Sequence, residues 1–321
     1  MTTISLRTLA LSTALAFPPV AALAADAVVP DPNYPGGRAT AYAVIVVAEQ
    51  LLGLEIDTIT TTAVPVIWEG MDRGDGQIDV WTEVWLPNQQ PMVNKFVEEA
   101  GSVILTENSF EAVQGYCMTA KDAETHGITS VYDLASPEAA ALFDANENGM
   151  GELWIGPVGW LSTNIERVRA RDYGLDEFFE LESFDEAVAT ANLDRAVKEG
   201  RPWLGYCYGP HQNFVLYDLV LLEEPAHDPE RFVMVQPSDD PAWFEKSNVE
   251  TAYAETRVHR AYSATLAQRQ PGLVDLIEGM RITADDVNAW AHAIAVEGKE
   301  PRAVLEAWYA ENEDRAIDWV Q

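Results

Sequence analysis

The chain has 321 residues, of which 48% are hydrophobic and 22% are charged, a balance that supports a buried core and argues against intrinsic disorder. Fifty-two acidic residues face 20 Lys and Arg, giving a formal net charge of −32. Because this field repels phosphate groups, we expect no nucleic-acid partner and no binding to anionic membranes.

The N-terminal segment has the pattern of an export signal. Residues 1–24 contain one cation, Arg7, then a short apolar run, and end in Ala22-Leu23-Ala24. This pattern predicts a signal peptide cleaved after Ala24 and a periplasmic mature protein. The alternative is an N-terminal membrane anchor, for which the apolar run is too short.

The rest of the chain alternates strand-like and helix-like segments, which predicts an α/β architecture. Two helices are predicted in the first third, at residues 39–52 and 65–73. Strands are predicted at residues 28–30, 56–61, 78–84, 103–105, 112–118 and 202–208.

Helix boundaries are marked by capping residues in the later part of the chain. Ser183 and Glu186 have the spacing of a capping box, which predicts a helix that runs to Lys198, with Gly200 beyond its end. The segment from Thr283 to Asp286 predicts the start of a helix that runs through Ala295. Pro301 opens a further helix through Tyr309.

Motifs typical of catalysis are missing from the sequence. It contains no G-x-S-x-G, H-E-x-x-H, phosphate-loop or C-x-x-C pattern, and its five histidines lack metal-ligand spacing. We therefore expect a protein that is not an enzyme and requires no cofactor. A secreted hydrolase stays as an alternative, because catalytic triads assemble from distant positions.

Two cysteines, Cys117 and Cys207, each follow a Gly-Tyr pair. An even number of cysteines in an oxidising compartment permits one disulfide. The alternative is two small buried thiols, and the sequence does not decide between them.

A polar loop carries oxygen-bearing side chains at alternating positions. Asp144, Asn146, Asn148 and Glu152 occupy positions 1, 3, 5 and 9 of a pattern that resembles the first half of an EF-hand. Position 12 is Ile155, so a normal EF-hand is excluded. The sequence leaves two interpretations, a structural calcium site and a polar turn closed by its own hydrogen bonds.

Four aromatic residues lie where a predicted strand gives way to a Gly/Pro loop: Tyr34, Trp85, Trp160 and Tyr208. In α/β folds, ligands bind beyond the carboxyl ends of strands. Aromatic faces in such loops can hold a quaternary ammonium group by cation–π attraction. Ordinary core or loop packing is the other interpretation of these residues.

The sequence resembles the substrate-binding proteins of glycine betaine, choline and proline betaine ABC transporters over nearly all of the mature chain. The most specific stretch contains Lys198-Glu199-Gly200-Arg201-Pro202, Pro210-His211, Tyr217-Asp218-Leu219 and Leu222-Glu223-Glu224-Pro225. Further similar segments are Gly76–Val80, Glu83–Gln89, Gln114–Tyr116, Gly127–Ser130, Phe143–Trp160 and Ile317–Trp319.

The resemblance implies a bilobed periplasmic binding protein of the type II-like class, with two α/β lobes joined by a hinge and the ligand in the cleft. It implies lobe one at residues 25–108, lobe two at 109–212, and a return to lobe one with C-terminal helices at 213–321. Hinge closure would bury the ligand.

The resemblance also assigns roles to site residues. Trp85 and Trp160 match cage tryptophans of the family, whereas Tyr34 and Tyr208 stand at the two other corners of the cage. Tyr replaces Trp at these two corners in comparison with several members, and Gln212 stands where many members have another Trp. His211 is a candidate donor to a ligand carboxylate or oxide, with a packed structural histidine as the alternative. Two glutamates, Glu83 and Glu69, are candidate counter-charges, with a solvated or structural side chain as the alternative for both.

The function implied is the capture of a small methylated onium osmolyte and its delivery to an ABC permease and ATPase. Glycine betaine, choline, trimethylamine N-oxide and dimethylsulfoniopropionate fit equally well at this stage. We expect a monomer. The alternative within the same fold is a ligand-sensing receptor for the same solutes.

Overall fold

The computed structural model describes residues 25–320, and the predicted signal peptide lies outside them. Within this range, no helix combines the length and the apolar character needed to cross a membrane. The strands are β1 (Ala27–Pro30), β2 (Ile56–Ile59), β3 (Val80–Leu86), β4 (Val103–Thr119), β5 (Gly151–Trp154), β6 (Phe179–Glu182), β7 (Gly205–Gly209), β8 (Leu219–Leu221), β9 (Phe232–Val233), β10 (Asn248–Val249) and β11 (Thr256–Ser263).

The helices complete two α/β lobes. They are α1 (Pro35–Val47), α2 (Val64–Arg73), α3 (Gln90–Val93), α4 (Ala120–His126), α5 (Pro137–Ala140), α6 (Leu161–Asp172), α7 (Glu186–Glu199), α8 (Asn213–Leu216), α9 (Trp243–Lys246), α10 (Leu266–Arg269), α11 (Pro271–Gly279), α12 (Ala284–Ala295), α13 (Pro301–Glu311) and α14 (Glu313–Ile317). Short π-helical turns follow α1 and α3, at Ala48–Leu52 and Asn94–Glu99. Two 3₁₀ turns lie at Val131–Leu134 and Asp318–Val320.

One sheet runs through both lobes, in the order β3-β11-β4-β7-β5-β6, with β8 also paired to β4. In the first lobe, β11 is antiparallel to both β3 and β4. In the second lobe, β5 is parallel to β6 and β7. Two small sheets lie outside it, β1 with β2 and β9 with β10.

Strand β4 joins the two lobes as one continuous strand, whereas the sequence predicted two separate strands at 103–105 and 112–118. Ala112 is the last residue of β4 that pairs with β11, and Val113 is the first that pairs with β7. The strand therefore changes partners between these two residues without a break, and it forms one of the two connections across the hinge.

The return to lobe one occurs at Thr256, later than the predicted boundary at residue 213. Leu219, Val249 and Tyr253 all pack in clusters of second-lobe residues. Strand β8 also pairs with the second-lobe half of β4. The segment after residue 213 therefore belongs to lobe two, and β11 makes the second connection.

Each lobe has its own apolar core. The first-lobe core surrounds α1, whose Val44 and Ile45 pack with residues of α11, α12 and α13. The second-lobe core contains Tyr116, Leu153 and Phe179. Because the cores are separate, the lobes can move as units about the two connecting strands.

The helix starts agree with the sequence in one case and differ in another. α12 begins at the predicted position, where Thr283 and Asp286 form a capping box. The predicted capping box at Ser183 and Glu186 is wrong: α7 begins at Glu186, with Asp185 as its N-cap. The Ser183 hydroxyl instead donates to the carbonyl oxygen of Gly156, at 2.8 Å.

Cys117 and Cys207 are joined by a disulfide, with their Cα atoms 5.8 Å apart. They lie on the antiparallel neighbours β4 and β7, each two residues from the position directly opposite the other. Of the two alternatives left open by the sequence, the structure has the disulfide.

Candidate functional site

The four strand-end aromatic residues lie together around one cavity between the lobes. Ring centroids are 5.4 Å apart for Tyr34 and Trp160, 5.2 Å for Trp85 and Tyr208, and 5.6 Å for Trp160 and Tyr208, all in edge-to-face arrangements. The cavity has a volume of about 470 Å³ including its open mouth. Its lining consists of Tyr34, Thr62, Val64, Trp81, Glu83, Trp85, Asn88, Gln89, Trp160, Leu161, Ser162, Tyr206 and Tyr208.

The first lobe supplies Tyr34 and Trp85. Tyr34 is the N-cap of α1, and Pro35 sets the first turn of that helix. A side chain at Gly37 would come within 2.6 Å of the Tyr34 ring, so only glycine lets the ring lie against the helix. Trp85 is the penultimate residue of β3, at the edge of the cleft.

The second lobe supplies Trp160 and Tyr208. Trp160 is the N-cap of α6, and the preceding Gly159 has a φ of +103°, which side-chain-bearing residues rarely adopt. Tyr208 lies in β7 two residues after Tyr206, so both tyrosines project from the same face of the strand and both line the cavity. The cluster of four aromatic rings is therefore complete only when both lobes meet.

Glu83 lies behind the first-lobe rings and is 2% exposed. Its carboxylate accepts hydrogen bonds from the hydroxyl of Thr40 at 2.7 Å, the indole N–H of Trp85 at 2.9 Å and the hydroxyl of Tyr34 at 3.3 Å. Burial raises the pKa of Glu83 above its ordinary value. The three hydrogen bonds oppose that rise, whereas the negative charge of Glu186 adds to it.

Glu186 has the corresponding position behind the second-lobe ring. It accepts a hydrogen bond from the hydroxyl of Tyr208 and lies 3.0 Å from the Nε2 atom of His211. The Nδ1 atom of His211 accepts from the backbone N–H of Asn213, so the ring hydrogen is on Nε2 and is donated to Glu186. Burial raises the pKa of Tyr208, with a further contribution from the charge of Glu186, so its hydroxyl remains a donor.

Of the other predicted site residues, His211 lies behind Tyr208, with ring centroids 5.0 Å apart, and is not part of the cavity lining. Its role as a ligand donor therefore stays a prediction. Glu69 is exposed on α2 and is also absent from the described lining.

One wall of the cavity is polar. Asn88, Gln89, Ser162 and Tyr206 line it and can meet the oxygen-bearing end of a ligand. Gln89 is fixed from behind: its Oε1 atom accepts from the indole N–H groups of Trp68 and Trp81. Sequence reasoning missed this wall, although Asn88 and Gln89 directly follow the Trp85 segment and Tyr206 shares a strand face with Tyr208.

A side-chain network connects this wall to both hinge strands. Gln114 of β4 exchanges two hydrogen bonds with Asn88, at 2.8 and 3.0 Å. It also donates to Thr256 of β11 at 2.9 Å and accepts from Tyr206 at 2.7 Å. The lining of the cavity is therefore connected by hydrogen bonds to both strands that cross between the lobes.

In the loop with the predicted calcium ligands, the side-chain oxygens accept backbone hydrogen bonds. Asp144 accepts from the amides of Asn148 and Gly149, at 3.0 and 2.8 Å, and Asn146 also accepts from Asn148. Within residues 25–320, no group of three or more His, Cys, Asp or Glu side chains is arranged to hold a metal ion. These bonds are those of a polar turn, and calcium binding at Asp144, Asn146, Asn148 and Glu152 stays a prediction.

Comparison with protein families gives a match over residues 25–311 to the substrate-binding domain of ABC-type glycine betaine transport systems. A glycine betaine/proline betaine-binding periplasmic protein of Salmonella typhimurium is 24% identical over 222 residues, which are 65% of this chain and 64% of that protein. The corresponding protein of Escherichia coli is 24% identical over 218 residues, with the same two coverages. The chain thus spans 64% of the length of these curated relatives.

Solved structures with the same fold cover almost the whole chain. An ABC-transporter choline-binding protein in complex with choline has a TM-score of 0.71 at 21% identity, covering 91% of this chain and 90% of that one. The lactococcal OpuAC in its closed-liganded conformation with glycine betaine has a TM-score of 0.69 at 18% identity, covering 92% and 99%. These similarities confirm the predicted bilobed α/β fold.

Proposed function

Because the chain belongs to the family of substrate-binding domains of ABC-type glycine betaine transport systems, we propose that it captures a small methylated onium compound between its lobes. The observation that carries the proposal is the set of four aromatic rings, two from each lobe, around a single cavity. An onium head has no N–H hydrogen to donate, so aromatic faces are the groups that attract it. Members of this family bind substrates for transport and are not enzymes.

The polar wall suits the other end of such a ligand. A carboxylate, hydroxyl or oxide can accept from the hydroxyl of Ser162 or from the first amides of α6, which begins at Leu161. Glycine betaine, choline, trimethylamine N-oxide and dimethylsulfoniopropionate all combine a compact methylated head with an oxygen. We include all four in the proposed ligand class.

Transport follows from closure of the lobes. The curated relatives are periplasmic proteins, and we infer that this chain likewise acts outside the cytoplasm. The closed, ligand-bound form would dock on an ABC permease and release the ligand when ATP hydrolysis opens it. The protein acts as a monomer in this scheme, because both halves of the cage come from one chain.

Calorimetric titration of the mature protein with the four ligands tests the proposal. We expect micromolar or tighter binding of at least one onium compound, because several desolvated rings each contribute about 0.5–2 kcal/mol. Trp160→Ala should abolish this binding, whereas Trp160→Phe should retain part of it. Trp243→Ala is the matched control, because Trp243 is a partly buried second-lobe tryptophan outside the lining. Absence of heat with all four ligands would reject the proposal.

A further inference from the structure

Three of the four cage rings donate their polar hydrogen to a buried carboxylate. In the first lobe, Tyr34 and Trp85 both donate to the Oε2 atom of Glu83. In the second lobe, Tyr208 donates to Glu186. Each lobe thus contributes one carboxylate, and each carboxylate is bonded directly to the rings that surround the cavity.

In the described part of the chain, neither carboxylate is paired with a Lys or Arg side chain. Glu83 is 2% exposed and Glu186 is 8% exposed. Among residues 25–320, neither forms an ion pair with Lys or Arg, and Glu186 has only the imidazole of His211 as an ionisable basic neighbour. Buried carboxylates in proteins are ordinarily paired with a cation, because an isolated buried charge is costly.

The cavity itself offers no compensating charge. In the described part of the chain, its lining contains no Lys, Arg or His, and Glu83 is its single carboxylic acid. A cation bound in the space enclosed by the rings would therefore lie close to both carboxylates, with no basic side chain of the described lining competing for them. A ligand there would lie directly against Glu83 of the first lobe and against Tyr208 of the second lobe, whose hydroxyl is bonded to Glu186.

On the basis of the proposed function, we propose that Glu83 and Glu186 are specificity-determining residues that make the cage select a cationic head group over an uncharged head of the same shape. They act directly, by Coulomb attraction at low dielectric. They also act through the rings, because a donor bonded to a carboxylate makes its aromatic face more electron-rich and a better partner for a cation.

The arrangement also connects ligand charge to closure. The two carboxylates lie on opposite lobes, so closing the empty cleft brings like charges together. A cation between them converts this repulsion into attraction to both lobes. An uncharged ligand of equal size would fill the same volume without that gain.

The test compares onium ligands with their carbon isosteres, in which a tert-butyl group replaces the trimethylammonium group. Choline is paired with the alcohol isostere and glycine betaine with the carboxylate isostere. In Glu186→Gln, we expect the affinity for the onium ligand to fall about tenfold, whereas the affinity for the isostere changes less than about twofold. Glu83→Gln should behave in the same way, and the double variant should lose more than either alone.

Glu69→Gln is the matched control, because Glu69 is an exposed glutamate of the first lobe, and it should change neither affinity. Tyr208→Phe is a second variant, which keeps the ring and removes the donor to Glu186, so the preference is tested even if Glu186→Gln does not fold.

Equal losses of affinity for the onium ligand and its isostere would show a structural role and overturn the proposal. An unchanged preference in all variants would overturn it too, while leaving onium binding by the wild type intact. Failure of the wild type to bind any onium compound would instead reject the proposed function along with it.

Discussion

The backbone amide of Val64, in the first lobe, donates a hydrogen bond across the cleft to the carbonyl oxygen of Gly159 in the second lobe, at 3.3 Å. Leu161, just after this loop, packs into a first-lobe cluster that contains Val64. The loop that presents Trp160 is therefore seated on the first lobe, and the structure has the closed arrangement of the cleft.

Gly159→Ala should weaken ligand binding about tenfold. A φ of +103° is unfavourable for alanine and costs of order 1–3 kcal/mol, and the added Cβ would lie 3.5 Å from the Cα of Ala63. A distance of 3.5 Å is an ordinary van der Waals contact, so the backbone strain is what opposes the observed position of the loop. The affinity is measured by calorimetry, and closure by small-angle scattering with and without ligand.

Gly174→Ala is the matched control for this substitution. Gly174 also lies in the second lobe with a positive φ, of +72°, but a Cβ there would meet open space. It should lower stability without a change in ligand affinity. Equal affinity losses in the two variants would contradict a specific role for the Gly159 contact.

Replacing both Cys117 and Cys207 by alanine should lower the free energy of unfolding by about 2–4 kcal/mol. The bond closes a loop with a sequence separation of 90 residues and ties β4 to β7. Urea unfolding of the wild type and the double variant gives the difference. A reductant should shift the wild-type midpoint and leave that of the variant unchanged; a reductant-insensitive wild type would argue against the bond.

Gln114→Leu should destabilise the protein by about 1–3 kcal/mol, because its removal leaves buried polar groups of Asn88 and Tyr206 without their partner. It should also weaken ligand binding, since both of those residues line the cavity. Urea unfolding and calorimetry measure the two effects. Gln268→Leu, at an exposed position, is the control, and equal behaviour of the two variants would refute the hinge network.

The aromatic cluster around the cavity was predictable from the sequence because local signals mark it. Each of its four aromatic residues stands within two positions of a glycine or proline, at the end of a strand or the start of a helix, and such positions converge on one edge of a sheet. The resemblance to a family then selected the cage over ordinary packing. The local signals and the resemblance both depend on short sequence motifs, and such motifs can be recognised without knowledge of the fold.

The position of Glu186 was predicted wrongly because its contacts are distant in sequence. Its spacing from Ser183 is that of a capping box, but its carboxylate is bonded to Tyr208 and His211, which lie 22 and 25 positions further along the chain. Tertiary contacts overrode a local preference here. The lobe boundary at Thr256 was missed because β8, β9 and β10 have three, two and two residues, too few for a recognisable strand pattern.

The last prediction concerns pH. Burial holds the pKa of Glu83 in the folded protein above its ordinary value of 4.5. The folded state therefore binds more protons than the unfolded state in the interval between these two values. Across that interval the contribution of Glu83 to the free energy of unfolding falls as the pH rises, because the carboxyl of the unfolded chain ionises there while the buried one keeps its proton.

Ligand affinity should change in the opposite direction. A cationic head beside Glu83 favours the ionised carboxylate, so the affinity should rise as the pH increases through the raised pKa, and binding within that interval should release protons. Tyr34 does not titrate there, because burial and the charge of Glu83 raise its pKa well above the ordinary value. Calorimetry from pH 4.5 to neutrality, in buffers of different ionisation enthalpy, measures both the affinity and the proton release. Glu83→Gln should flatten the pH dependence, whereas Glu69→Gln should preserve it. A wild-type affinity that is constant over this range would show that Glu83 is ionised throughout or that its charge does not reach the ligand.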